Sequence, residues 1–334
     1  MRTLAAAEHK GGVGWAGSPS VFTDRFVDMN VKVAHHWNYR ERAIIPLQAR
    51  GIEFLPTQWG CGTGQRPWDG INVPALQVFA KRYPGLTWLI FNEPDRVDQA
   101  NCHPSVAAEA YHLIYSTIKA ADPMARIFCC GTSDWPQHWK WVASWMSEYM
   151  EVYGVCPPMD GYHIHSYNDF ADRFDWQKQA YYLQEFRDMT IDGSWGCYDG
   201  GLPVVVSEWG VLSDWNDSSD ELQQVAQYLC DTWPWLEAQP WIEKHFWFST
   251  YVEGMSSNLF ANRTSDALTI VGEAWQDMAH TEPVVTATPT LTWSPTPTAT
   301  PMPTITVTPT PEHVWIIFEE CTLDCWCRKV TPNP

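Results

Sequence analysis

Eight times between Val13 and about Ala279, a short apolar run gives way to a segment of helical spacing, and no other feature narrows the fold as far. The runs are Val13 to Ala16, Val31 to Tyr39, Ile52 to Trp59, Trp88 to Phe91, Arg126 to Cys130, Met159 to Tyr167, Leu202 to Glu208 and Lys244 to Thr250. Consecutive apolar residues, as in Trp88-Leu89-Ile90-Phe91, read as a strand buried on both faces, which is the habit of parallel sheets. The segments between them carry helix signals. Gly51 is a helix stop before the third run. From Ser105 to Ala121, Val106, Ala110, Leu113, Ile114, Thr117 and Ala121 recur at helical spacing. Ser218 and Ser219 read as an N-cap, with Asp220 and Glu221 in the first turn and Leu222, Val225, Ala226 and Leu229 on one face. Asp266 to Ala279 contains the closing helix. Eight strand-then-helix units predict an α/β fold, a (β/α)8 TIM barrel, which needs roughly 250 residues. An open doubly wound sheet is the rival. It is disfavoured because no Gly-rich phosphate loop follows the first run, and chemical residues end many runs rather than meeting at one switch point.

The barrel is expected over residues 10–281. After it the composition changes abruptly: Pro283 to Pro311 has no charged residue and consists largely of Pro and Thr. Residues 282–312 therefore read as an extended, polyproline-like spacer that cannot bury a core. Residues 313–334 form a short tail with Cys321, Cys325 and Cys327, too small to fold independently without staples. The net charge of -18 leaves no footprint for nucleic acid or an anionic membrane. No stretch approaches the ~18 apolar residues of a membrane span.

Ten cysteines in 334 residues are too few for a disulfide scaffold but point to an oxidising compartment. Secretion is the expectation, although Met1 to Lys10 lacks the apolar core of a signal peptide. Cys61 and Cys102 follow neighbouring runs and are candidates to pair; Cys156 and Cys197 precede runs and make a second pair on the opposite rim. The adjacent Cys129 and Cys130 read as buried thiols. None of these spacings is a metal motif, and no cofactor is expected.

The chemistry gathers at the ends of two runs. Trp88 to Phe91 ends in Asn92-Glu93-Pro94-Asp95, and Pro94 cannot continue a sheet ladder. Val204-Val205-Val206 ends in Ser207-Glu208. Each glutamate is thus delivered at the carboxyl end of a buried strand. A solvated strand-end residue is the plain reading of either one alone. Two inward carboxylates at one barrel mouth are what glycoside hydrolysis requires. On the sixth run His163, His165 and Tyr167 share one face by the two-residue period. The chain also carries 21 Trp, 13 Tyr and 13 Phe, flat faces suited to sugar rings, although most are expected in the core.

Taken in order, Trp37 and Tyr39, Asn92 to Asp95 followed by Gln99 to Pro104, His165 and Tyr167, Glu208, and Phe246-Trp247-Phe248 resemble the clan A barrel glycosidases. More narrowly they are similar to glycoside hydrolase family 128, with Ser166 a departure where an aromatic is common. The resemblance implies a retaining endo-β-glucanase acting on β-1,3-glucan, a monomer, with Glu93 as general acid/base and Glu208 as nucleophile. Asn92 is expected to donate to the sugar 2-hydroxyl, against a turn residue that closes the strand. On the shared face of the sixth run Tyr167 is a candidate to orient Glu208 and His165 to bond substrate or Glu93, against a satisfied core histidine. Trp247 is the expected platform beneath the sugar next to the cleaved bond. Trp37, Tyr39, Trp59 and Trp209 are candidates for further subsites and Gln58 for a hydroxyl ligand, each against packing under loops. Burial and a negative neighbour are expected to raise the acid, while hydrogen bonds keep Glu208 ionised. Another β-linked polysaccharide (mannan, xylan or β-1,4-glucan) is the rival substrate, and a non-catalytic carbohydrate-binding barrel the rival class.

Overall fold

The computed structural model describes residues 8–281, apart from the short stretches 16–18, 63–69, 134–135, 169, 192–194, 198–200 and 213–217. The spacer and the tail lie outside the described residues. Eight parallel strands close into a barrel in sequence order, β1 (Gly11–Gly14), β2 (Val33–His36), β3 (Glu53–Gln58), β4 (Thr87–Ile90), β5 (Arg126–Thr132), β6 (Gly161–Ser166), β7 (Val204–Trp209) and β8 (Ile242–Phe248). The helices between and after them are α1 (Pro19–Asp28), α2 (Glu41–Gln48), α3 (Val73–Arg82), α4 (Pro104–Ala121), α5 (Pro136–Tyr153), α6 (Trp176–Ile191), α7 (Ser219–Ala238) and α8 (Ile270–His280). This is a (β/α)8 TIM barrel. Its first strand lies two residues earlier than the apolar run from Val13 suggested, because Gly11 and Gly12 pair with His245 and Phe246 of β8.

Side chains alternate between the barrel interior and the helix layer. Val33, Leu55, Leu89, Phe128, Val205 and Phe246 form one interior cluster, a floor contributed by six strands. The other two strands contribute glycines, for a steric reason. A Cβ on Gly12 would lie 2.7 Å from both Phe246 and Val33, and one on Gly161 would lie 2.1 Å from the Phe128 ring. The Phe246 and Phe128 rings thus fill the space that side chains on β1 and β6 would need. Gly161→Ala is expected to cost about 1–3 kcal/mol through overpacking, read as a lower Tm in a thermal melt; an unchanged Tm would mean the floor has slack.

The outward strand faces and the helices over them carry most of the core, including the fully buried Trp88, Trp209 and Trp247 and, on α8, Trp275. Several helix starts are capped by side chains. Ser218 accepts from the Glu221 amide at the start of α7, and Thr269 from Gly272 at the start of α8. On α4 the buried stripe is Ala107, Ala110, Tyr111, Ile114 and Ile118, whereas Val106 and Leu113 are exposed. Among the described residues no helix is long and apolar enough to cross a membrane.

Disulfides join Cys61 to Cys102 and Cys156 to Cys197, the pairs expected from their neighbouring strands. Cys129 and Cys130 are not thiols: they are bonded to each other at the end of β5. Cys230 on α7 is disulfide-bonded as well.

Candidate active site

Counting outward from the floor in steps of two predicts what lines the barrel mouth. Val33 leads to His35 and Trp37, Leu55 to Thr57, Leu89 to Phe91 and Glu93, Gly161 to His163, His165 and Tyr167, and Phe246 to Phe248. On β7 the register shifts between Val206 and Trp209, so that Ser207 and Glu208 both reach the interior. Ser207 Oγ lies 3.0 Å from His163 Nδ1, and Glu208 stands opposite His165.

The end of β4 is shaped by its neighbours. Phe91 and Glu93 adopt positive φ values of 71° and 44°, a region that non-glycine residues enter at a cost of about 1–3 kcal/mol each. Three backbone bonds hold them there. Phe91 N–H donates to Gln58 O, Asn92 N–H to Trp59 O, and Glu93 N–H to Gly131 O at 2.7 Å. Asp95 accepts from the amide and hydroxyl of Ser133, tying the loop after β4 to β5. Asn92 Nδ2 donates weakly, at 3.4 Å, to Gln99 Oε1.

Glu93 and Glu208 meet through one imidazole. His165 Nδ1 lies 3.1 Å from Glu93 Oε1, and its Nε2 lies 3.4 Å from Glu208 Oε1. The two carboxyl groups are therefore separated by no more than a ring and two short contacts. Both are buried, as is His165. Glu208 has further donors: Trp37 Nε1–H to Oε1 at 2.6 Å and Tyr167 O–H to Oε2 at 2.8 Å. Arg96 Nε approaches Glu93 Oε2 at 3.6 Å from the exposed side.

These surroundings set the charges. Burial pushes the Glu208 carboxyl up, while His165, Trp37 and Tyr167 pull it down and the neighbouring Glu93 adds to the rise. The expectation that hydrogen bonds keep Glu208 ionised is thus corrected: burial outweighs them, and the carboxyl is raised overall. Burial alone would strip His165 of its proton, but the Glu208 and Glu93 carboxylates outweigh it and raise the imidazole to about 9. His163 beneath is different. Burial outweighs the bond it makes to Ile90 O and takes it down to about 3, so it is a neutral core histidine.

A pH dependence of stability follows. The folded pKa of His165 lies above the ordinary 6.5, so its contribution is complete below 6.5 and is lost as pH rises through about 9. His163 has the opposite sign: its depressed pKa gives a contribution complete above 6.5 and lost as pH falls toward about 3. Tm is expected to fall as pH rises from 6.5 to 9, and His165→Gln to flatten that alkaline slope. An equally steep slope in the variant would contradict the charge assigned to the imidazole.

The structure brings Trp37, Glu93, His165, Tyr167 and Glu208 together, with Asn92 buried next to Glu93 in the chain and its amide on Gln99, and leaves others outside. Trp247 and Trp209 are fully buried and face the helix layer, edge to face at 4.7 Å, with Trp247 Nε1–H donating to Ser257 O and Trp209 Nε1–H to His245 Nδ1. Neither offers a ring face to a sugar. Gln58 pairs in register with the outward Ile90, and its amide closes on Gly60 O. Tyr39 packs against Phe79 of α3 and Trp88, also on the outer side. Trp59 is buried at the rim and presents its carbonyl to Asn92. Phe248 is the aromatic that sequence reasoning passed over. Its ring stands edge to face with Trp37 at 5.6 Å and with Tyr167 at 6.2 Å. The two-residue step from Phe246 would have found it. Among the described residues no cluster of His, Cys, Asp and Glu could hold a metal.

Comparison with known proteins agrees with this architecture. The family model described as the glycosyl hydrolase catalytic core matches residues 12–275. No curated protein matches the chain. Similar solved structures include a GH128 (subgroup II) endo-β-1,3-glucanase from Pseudomonas viridiflava, 19% identical with a TM-score of 0.60, covering 80% of this chain and 96% of that one. A GH128 (subgroup I) endo-β-1,3-glucanase from Amycolatopsis mediterranei, in complex with laminaritriose, is 22% identical with a TM-score of 0.59, covering 81% and 99%. A GH128 (subgroup III) curdlan-specific exo-β-1,3-glucanase from Blastomyces gilchristii, in complex with glucose, is 21% identical with a TM-score of 0.57, covering 80% and 97%. At these identities the likeness carries the fold.

Proposed function

The chain belongs to the glycosyl hydrolase catalytic core family, and within it we propose a retaining endo-β-1,3-glucanase. The observation that carries the reading is the contact of both Glu93 and Glu208 with the single ring of His165 at one barrel mouth. A retaining pair stands ~5–5.5 Å apart, with no room for a water between acid and substrate-facing base. The family resemblance supports the retaining course, and the shared imidazole supports joint action of the two carboxylates. Glu208 attacks the anomeric carbon while Glu93 protonates the leaving oxygen; Glu93 then takes a proton from the water that releases the sugar.

The proton for the first step is accounted for within the cluster. His165, raised to about 9, holds a proton near neutral pH, 3.1 Å by its Nδ1 from Glu93 Oε1. Entry of a sugar into this buried site displaces water and favours passage of that proton to Glu93 Oε1, from which the leaving oxygen takes it. Asn92, beside Glu93 in the chain, is the proposed donor to the 2-hydroxyl. The folds of the β-1,3-glucanases from Pseudomonas viridiflava and Amycolatopsis mediterranei support β-1,3-glucan as the substrate.

The test is a panel of laminarin, lichenan, mannan, xylan and carboxymethyl-cellulose. Laminarin is expected to be cleaved fastest and to mixed oligomers. A single small product would favour the exo reading, which the likeness to the exo-enzyme from Blastomyces gilchristii supports. Binding of laminarin without cleavage of any polymer would count for a carbohydrate-binding barrel. Export from the cell and a monomeric state belong to the same proposal.

A further inference from the structure

Trp37 stands half-buried at a strand end beside the cleft, where an indole is ordinarily read as a sugar platform. Its contacts give it another task. The indole N–H donates to Glu208 Oε1 at 2.6 Å, and Tyr167 donates to the other oxygen at 2.8 Å. The two donors come from opposite walls of the barrel, β2 and β6, so the carboxylate cannot rotate without breaking one of them. The ring itself is seated on three sides. His35 meets it edge to face at 4.9 Å and Phe248 at 5.6 Å. Below it β1 has Gly14, where a Cβ would lie 3.3 Å from Trp37 Cη2 and 3.0 Å from His35 Nε2. A side chain at position 14 would press on the seat, and the sequence has none there.

We propose that Trp37 is a positioning residue for the nucleophile, its N–H fixing Glu208 Oε1 while Tyr167 fixes Oε2, rather than a stacking surface for substrate. The inference rests on Glu208 being the nucleophile of the proposed reaction. An indole N–H suits the task because it donates and cannot ionise, so it stabilises the carboxylate without adding charge to a cluster that already holds His165. Other groups facing Glu208 are Glu93, His165 and Tyr167, and all are left in place by the test.

Trp37→Phe keeps an aromatic ring and removes the donor together with part of the indole's bulk. Loss of one hydrogen bond to a charged group corresponds to roughly a 10- to 100-fold fall in kcat/KM on an aryl β-laminaribioside with a good leaving group. Such a substrate needs little acid assistance, so the defect reads nucleophilic attack. The acid limb of the pH profile is expected to move up by about one unit. In a Glu208→Gln background, adding Trp37→Phe is expected to leave the Kd for laminarihexaose within about twofold. Kinetics of Trp37→Phe like wild type, or a Kd weakened tenfold in that background, would overturn the proposal in favour of a platform. A titration of the Glu208 carboxyl by carbon-13 NMR needs no substrate. It is expected to rise in Trp37→Phe, and an unmoved titration would also overturn the proposal. Absence of all activity in the wild type would instead count against the glucanase reading, with the titration still deciding the role of Trp37.

Discussion

Glu208→Ala is expected to abolish laminarin hydrolysis, with a loss on the order of 10⁴-fold or more in kcat, the scale seen when a covalent nucleophile is removed. The loss should be as deep on activated aryl glycosides, because no leaving group compensates for a missing attacking atom. Added azide is expected to restore turnover by entering the space vacated by the carboxylate, and the product should then be the α-glycosyl azide. The inverted stereochemistry is the informative part. It follows only if the small anion attacks from the side of the sugar that Glu208 occupies. The environment supports the scale of the effect: Trp37 and Tyr167 each donate to one carboxylate oxygen, so the group is oriented before substrate arrives. Kinetics with and without azide check the prediction. A residual rate within a hundredfold of wild type would contradict it.

Glu93→Gln is expected to behave differently. On laminarin kcat should fall by about 10²–10⁴, the ordinary worth of general acid catalysis. On a dinitrophenyl glycoside, the leaving group departs without a proton, so formation of the intermediate should be nearly normal and its hydrolysis slow. A burst of dinitrophenol followed by a low steady rate is the expected trace. The same substitution removes one of the two carboxylates that keep His165 charged, so the imidazole should lose its proton nearer neutral pH. Equal losses on polymer and activated substrate, without a burst, would remove Glu93 from the acid role.

Much of this was legible in the chain. The eight apolar runs predicted the barrel because parallel strands under helices must be apolar on both faces, and that constraint survives in any single sequence. Glu93 and Glu208 stood out because a charged residue ending such a run has no packing reason to be there. What failed was the direction of side chains at the ends of strands. Trp209 and Trp247 read as sugar platforms from their place beside Glu208 and in the last strand, yet both point into the helix layer. The shift of register in β7 turns Glu208 inward and Trp209 outward, and no residue type announces it. Phe248 and Trp247 are adjacent aromatics, and only the phase set by Phe246 in the floor decides between them. The same limit applies to α4, where Val106 and Leu113 looked like core and the smaller Ala107 and Ala108 are buried instead. Cys129 and Cys130 read as two thiols because neighbours in a strand normally point apart, but they are bonded to each other.

The central claim is that one side chain, Glu208, forms the covalent bond. Incubation with an activated 2-deoxy-2-fluoro-β-laminaribioside, proteolysis and mass spectrometry read it directly, since the fluorine slows release of the trapped sugar. The account predicts a single added disaccharide on the peptide containing Glu208, absent from Glu208→Ala. Label on any other residue, or an active enzyme that releases α-configured products and never takes up label, would contradict it.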